Sequence, residues 1–563
     1  MSLLVNALVN LFRFLRNAHA RAFRRLADFV WISVTGALPE FEPPRKGLLR
    51  RRLDPRSTPP SLEAIRTCLD RIIADNRPRG VILRIENLDA GWAALEELRA
   101  ELHRFRSKGK KVIAYLVGSD TRSYYLASAA DEIFASPLST LSIVGLRTRV
   151  NFLKDALGRL GLEAQVLAVS PYKSAYDPLV RSGFSKESRE QVERLLDRRF
   201  DEFVAAASTR RAMPPEKTRG LIDRAPYSAA EAVEEGLLDG ALYEDELAER
   251  LGGGERFARL AEWRVAKKAL RLPYRRRARK VVGLVRVEGT IVRGRSRKLP
   301  VPLPVLGSEQ AGSDSVIAAL RVAEKSRRVG AILLHVDSPG GDALASDLIW
   351  REVERIRPKK PVVVLMGNAA ASGGYYVSAS ASYIVARKNT ITGSIGVILA
   401  RPVASGLLGK LRVNPVTIER GARSNLLDPS RHPSPDELVV LNEQLHNFYG
   451  EFKDRVASGR GLEPDTLEEI FGGRVWTGTE ALERALVDEI GDFRAAFGKA
   501  RELAGIREQA AHVLARISPP RNARPTPGEE PVREAVDAVR DAFSELSATR
   551  IWALAPYEFS DDW

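Results

Sequence analysis

The chain contains one long sequence pattern twice. "RGVILRIENLDAGWAALEELRAELHRFRSKGKKVIAYL", from Arg79, and "VGAILLHVDSPGGDALASDLIWREVERIRPKKPVVVLM", from Val329, both read as strand, turn, long amphipathic helix, short basic turn and strand. The match continues in "SYYLASAADEIFASPLSTLSIVGL", from Ser123, and "GYYVSASASYIVARKNTITGSIGV", from Gly374. Tyr124 matches Tyr375 and Asp177-Pro178 matches Asp428-Pro429 at one constant offset, so the register holds across the whole unit. Upstream, "FVWISVTGALPE" from Phe29 parallels "VGLVRVEGTIVR" from Val282, each a strand running into a glycine turn. Strands alternating with amphipathic helices predict an α/β fold of two tandem domains, each a mostly parallel sheet covered by helices.

The expected divisions are a basic amphipathic helix over 1–27, a first repeat over 28–255, a basic helical linker over 256–279, a second repeat over 280–505 and a C-terminal extension over 506–563. Within the extension, "SPPRNARPTPGEEP" reads as a flexible linker before a short helix and the tail "IWALAPYEFSDDW". At 563 residues the chain exceeds one compact core, in line with two to four domains. A single cysteine, Cys68, excludes an internal disulfide, a zinc ribbon and an iron–sulfur cluster.

The net charge of +16 is concentrated in a few places. Arg13, Arg16, Arg21, Arg24 and Arg25 fall in the first helix, and "RVAKKALRLPYRRRARK" fills 264–280 without an acid. Neither stretch interleaves aromatic residues, which argues against nucleic acid as partner. In the first helix Leu4, Leu8, Leu11 and Leu15 recur at helical spacing opposite Asn6, Asn10, Arg13, Asn17 and Arg21. No run there reaches the roughly 18 apolar residues of a spanning helix, and no cleavable signal is recognisable. The helix reads as lying in an anionic membrane surface, with packing on the protein's own body as the alternative.

The two copies differ at their turns. The second has "DSPGGD" at 337–342 where the first has "ENLDAG", and "AASGG" where the first has "DTRS". Conversely the first has "SPYKSAYDP" at 170–178 where the second has "RGARSNLLDP", so that Lys173 aligns with Ser424. A serine nucleophile needs a base for its proton and donors for the oxyanion that forms. Ser372 stands where an apolar strand gives way to a small-residue helix, and the N–H of Gly373 would be one donor. Gly340 and Gly341 offer a second donor free of side-chain obstruction. Ser372 also fits a plain helix N-terminal residue.

None of the six histidines sits in a recognisable triad, and His335, in an apolar strand, reads as a core residue. A lysine could be the base if burial lowered its pKa from about 10.4 to near 7. Lys173, flanked by Tyr172, Ala175 and Tyr176, is a candidate among the chain's many lysines, and taken alone it reads rather as an ordinary surface lysine.

Together "DSPGGD", "AAASGGYY", "TGSIGV" and "YKSAYDP" within a tandem repeat resemble signal peptide peptidase A, also called protease IV, in its long two-repeat bacterial form, over about 28–505. The resemblance implies a ClpP/crotonase-like fold, Ser372 as nucleophile from the second repeat and Lys173 as general base from the first. It also implies Ser394 as the hydroxyl orienting the lysine, an oxyanion hole at Gly341, Gly340 and Gly373, and no metal or cofactor. It further implies a homotetramer that cleaves apolar signal-peptide remnants at a bacterial inner membrane. Nothing matches a nucleotide-binding loop, so substrates should be short or already extended. A crotonase-like acyl-CoA enzyme and a non-catalytic membrane-surface scaffold are the competing readings.

Overall fold

Long apolar strands buried on both faces require cover on both sides of a sheet, and amphipathic helices supply it here. The computed structural model describes residues 2–42, 60–254, 256–274, 280–303, 307–463, 469–507, 514–520 and 550–554. They form two compact units, residues 1–147 with 196–277, and residues 148–195 with 278–563.

The first unit is built on six parallel strands, in the spatial order Leu260–Glu262, Phe29–Gly36, Gly80–Leu88, Lys111–Leu116, Glu132–Ala135 and Gly240–Ala241. Val81, Leu83 and Ile85 of the central strand face one core while Ile82 faces another, which explains the nearly continuous apolar run "GVIL". The helix Leu62–Ile73 starts where the Ser61 side chain accepts from the Ala64 N–H at 3.1 Å.

Residues 256–274 of the expected linker, 256–279, add to this body. Leu260–Glu262 forms the sheet's edge, and the helix Trp263–Ala269 buries Ala266 and Ala269, with Leu270 buried just beyond its end. The remaining basic run, 275–279, lies outside the described residues.

The N-terminal helix, Ser2–Phe23, uses its polar side within this unit. Arg16 donates to the carbonyls of Lys267, Lys268 and Leu270, and Asn17 exchanges two hydrogen bonds with the backbone of Leu272 at 3.0 and 2.9 Å. Its apolar side faces outward, with Leu8, Leu11, Phe12 and Leu15 each more than half exposed. The helix thus packs on its own body through Arg16 and Asn17, the alternative reading, while Leu8, Leu11 and Leu15 face outward. Among the described residues no helix is long and apolar enough to cross a membrane.

The second unit repeats the parallel core. Its order is Val475–Thr477, which runs antiparallel to its neighbour, then Ile391–Gly393, Val362–Ala371, Val329–Ser338, Val281–Glu288 and Leu514–Arg516, with Tyr383–Ala386 also paired to Val362–Ala371 and Glu489–Ile490 paired to Tyr383–Ala386. A second sheet of seven strands runs in the order Arg297–Leu303, Gly307–Gly312, Thr290–Val292, Gly340–Asp342, Arg550–Leu554, Ile398–Val403 and Glu163–Ala168.

The compact units differ from the repeat boundaries at residues 148–195, which belong to the second unit although they follow the first repeat's core in sequence. The cause is main-chain pairing: Glu163–Ala168 runs antiparallel to Ile398–Val403 over six residue pairs. The C-terminal extension likewise supplies two strands, Leu514–Arg516 and Arg550–Leu554, to the second unit's sheets. Most of the expected linker and the helix after it, 521–549, lie outside the described residues.

Candidate active site

The strand Val362–Ala371 ends in the run "AAA", and the chain turns at Ser372 into the helix Gly373–Ser378. Ser372 takes φ 54° and ψ −114°, a sparsely populated conformation that costs on the order of 1–3 kcal/mol. It is held by its N–H to the Gly393 carbonyl at 2.7 Å and by its carbonyl, which accepts from the Tyr376 N–H at 2.8 Å. The turn needs small residues after it: a Cβ on Gly374 would lie 2.7 Å from the Ser338 carbonyl oxygen. Ser372 is fully buried and its hydroxyl does not cap the helix it precedes, which leaves Oγ for another partner.

That partner is Lys173. The loop bearing it is fastened to residues 472–475: Ser170 Oγ donates to the Gly472 carbonyl, and Gln191 bridges the Tyr172 carbonyl and the Val475 N–H, both at 3.0 Å. The Arg474 guanidinium lies 3.8 Å from the Tyr172 ring centroid, near enough for a cation–π contact. The lysine stem runs against Gly473, where a Cβ would approach Lys173 Cβ to 2.8 Å, so a larger residue would push the stem out of place.

Lys173 Nζ lies 2.6 Å from Ser372 Oγ, 2.8 Å from the Ser394 carbonyl oxygen and 2.9 Å from Ser394 Oγ. A neutral amine has two N–H donors and one lone pair, and these three contacts use all of them: two donated to Ser394, one accepted from the Ser372 hydroxyl. Burial pushes the ammonium pKa well below its ordinary value, and among the described residues no carboxylate opposes that shift. Ser394 is itself strained, at φ 53°, and is anchored by its N–H to the Arg474 carbonyl at 2.6 Å. The structure therefore brings Ser372, Lys173 and Ser394 together within the second unit.

Gly373 follows Ser372 directly, and its N–H opens the short helix. Gly341 lies so close to Ile291 that a Cβ would stand 2.0 Å from the Ile291 carbonyl oxygen. The N–H of Gly340 donates to Ser338 Oγ at 3.1 Å. Asp342 fixes this glycine strand from its far end. Its buried carboxylate accepts from the Ala345 N–H at 2.9 Å and pairs with Arg293. His335 is buried, with Nδ1 3.2 Å from Glu288 Oε1, in keeping with a core residue.

Gln191, Gly473 and Asp342 had no place in the sequence reading of the site. Asp342 carried a signal, as the final residue of "DSPGGD" before a helix, the pattern of an N-cap. Gln191 and Gly473 meet the lysine loop only through tertiary pairing, which no local pattern announces.

The sequence pattern of peptidase family S49 matches residues 104–255 and again 354–507, and that of Clp protease matches 305–391. The fold is thus ClpP-like and occurs twice, and its class is serine peptidase. The chain belongs to peptidase family S49 and, within it, to the signal peptide peptidase A or protease IV group. It is similar to "Serine protease SPPA, chloroplastic" of Arabidopsis thaliana, at 33% identity over 80% of this chain and 67% of that one. It is also similar to "Protease 4" of Haemophilus influenzae, at 32% identity over 78% and 72% of the two chains. "Protease 4" of Salmonella typhi is 29% identical over 81% and 74%.

Proposed function

We propose that the chain hydrolyses peptide bonds through a Ser372–Lys173 dyad. Neutral Lys173 takes the Ser372 proton, Oγ attacks the peptide carbonyl, and the N–H groups of Gly341 and Gly373 hold the oxyanion. The lysine then passes its proton to the leaving amine and activates water to release the acyl group. The single observation that carries this reading is the 2.6 Å contact between a fully buried hydroxyl and a fully buried amine that has no counter-ion among the described residues. A non-catalytic scaffold has no use for burying that amine, and an acyl-CoA enzyme has no use for the strained serine. The test is hydrolysis of apolar and polar peptides by the purified chain. Cleavage favouring extended apolar peptides is expected, and absence of cleavage would defeat the proposal.

Two substitutions probe the supporting groups. Ser394→Ala removes one acceptor of the amine and should lower kcat by about tenfold to a hundredfold with KM little changed. Gly341→Ala should lower kcat by about 10²-fold or more, since its Cβ would displace the strand carrying an oxyanion donor. Steady-state kinetics with circular dichroism as a folding check reads both.

The apolar face of the N-terminal helix fits docking on a membrane surface, with apolar signal-peptide remnants as substrates and a bacterial inner membrane as the location. A homotetramer remains part of this reading, tested by sedimentation. Changing Leu8, Leu11, Phe12 and Leu15 together to serine should weaken liposome binding by more than about 10²-fold, because each apolar side chain inserted contributes about 1.5–3 kcal/mol. Unchanged cosedimentation would remove the helix as the anchor.

A further inference from the structure

The strand Arg550–Leu554 fills the gap between two strands of the second unit beside the candidate site. It runs antiparallel to the glycine strand, with Asp342 opposite Trp552, Gly341 opposite Ala553 and Gly340 opposite Leu554. On its other edge it runs antiparallel to Ile398–Val403, with Ile398 opposite Trp552, Leu399 opposite Ile551 and Ala400 opposite Arg550. It also lies against the helix Gly373–Ser378, whose first residue follows Ser372.

Without this segment the two flanking strands would face each other with unpaired main-chain edges one strand's width apart. Such a slot accepts one extended peptide by main-chain pairing, whatever its side chains. The slot is bordered by Gly341, a proposed oxyanion donor, and by the helix that starts at the proposed nucleophile. "RIWAL" also has the composition expected of a substrate, one charged residue followed by four apolar ones.

We infer that residues 550–554 are an intramolecular ligand of the peptide slot, bound as a substrate-like strand that incoming peptides must displace. This rests on the peptidase reading given above. A tethered segment meets its slot at an effective concentration on the order of millimolar, enough to compete with dilute peptides. Occupancy by the tail raises the apparent KM and leaves kcat unaltered, because a chain that has bound substrate no longer holds its tail.

Trp552→Pro is the sharpest probe, since residue 552 is in register with both flanking strands and proline is not accommodated inside a sheet. In the full-length chain it should lower KM for an apolar peptide at least tenfold with kcat unchanged. A synthetic peptide of residues 549–554 should then inhibit Trp552→Pro competitively and inhibit the unaltered chain much less. Inhibition of the variant also shows that it is folded. Equal KM values, together with equal inhibition of the two chains, would overturn the inference.

A binding measurement separates this from failure of the peptidase reading. The anisotropy of a fluorescein-labelled apolar peptide is compared in Ser372→Ala and in Ser372→Ala carrying Trp552→Pro. At least tenfold tighter binding to the double variant supports the tail as ligand even if no hydrolysis is ever seen, and equal binding rejects it.

Discussion

Ser372→Ala is expected to lower kcat for peptide hydrolysis by about 10⁴-fold or more, because the bond-forming atom is lost while the slot and the oxyanion donors remain. Peptide binding should persist. The fold should too, since Lys173 Nζ keeps both its contacts with Ser394, and loss of one buried hydrogen bond costs about 1–3 kcal/mol. Activity within tenfold of the unaltered chain would mean that the nucleophile lies elsewhere.

Lys173→Met should have an effect of similar size on kcat, and it makes a second statement about pH. The folded-state pKa of Lys173 lies well below its ordinary value, so over the interval between the two the unfolded chain carries a proton at this lysine that the folded chain does not. Stability therefore rises with pH across that interval, by up to about 1.4 kcal/mol per pH unit, and falls as pH drops from about 10.4 toward the folded pKa. Lys173→Met should remove that contribution, so the difference in unfolding free energy between the two chains should change with pH in this sense. Denaturant titrations between pH 6 and 10 measure it. A difference independent of pH would mean that Lys173 stays charged in the folded protein, and it could not then serve as base.

Part of this site could be read from the sequence and part could not, for physical reasons. Ser372 and the glycines at 340–341 are local features: a strand, a turn that tolerates only small residues, and a helix following at once. Comparing the two copies separated them from residues that only hold the fold. Lys173 could be named as a candidate because "YKSAYDP" replaces a different loop in the second copy. Its burial could not be read, since it depends on Gln191, Gly473 and the pairing of Glu163–Ala168 with Ile398–Val403, all distant in sequence. Arginine-rich composition concealed the buried Ala266, Ala269 and Leu270 of the expected linker. The tail strand escaped because five residues are too few to show periodicity, and its strand state comes entirely from the two edges that it bridges.

The central claim is that Ser372 becomes acylated because neutral Lys173 takes its proton. The most direct measurement mixes the chain with an activated acyl ester, quenches it in acid within the first turnover and maps the peptides by mass spectrometry, for the unaltered chain and for Lys173→Met. The expected result is one acyl group, on Ser372, forming faster as pH rises through the lysine's lowered pKa and not forming on the same timescale in Lys173→Met. An adduct on another residue, or equal rates in the two chains, would contradict it.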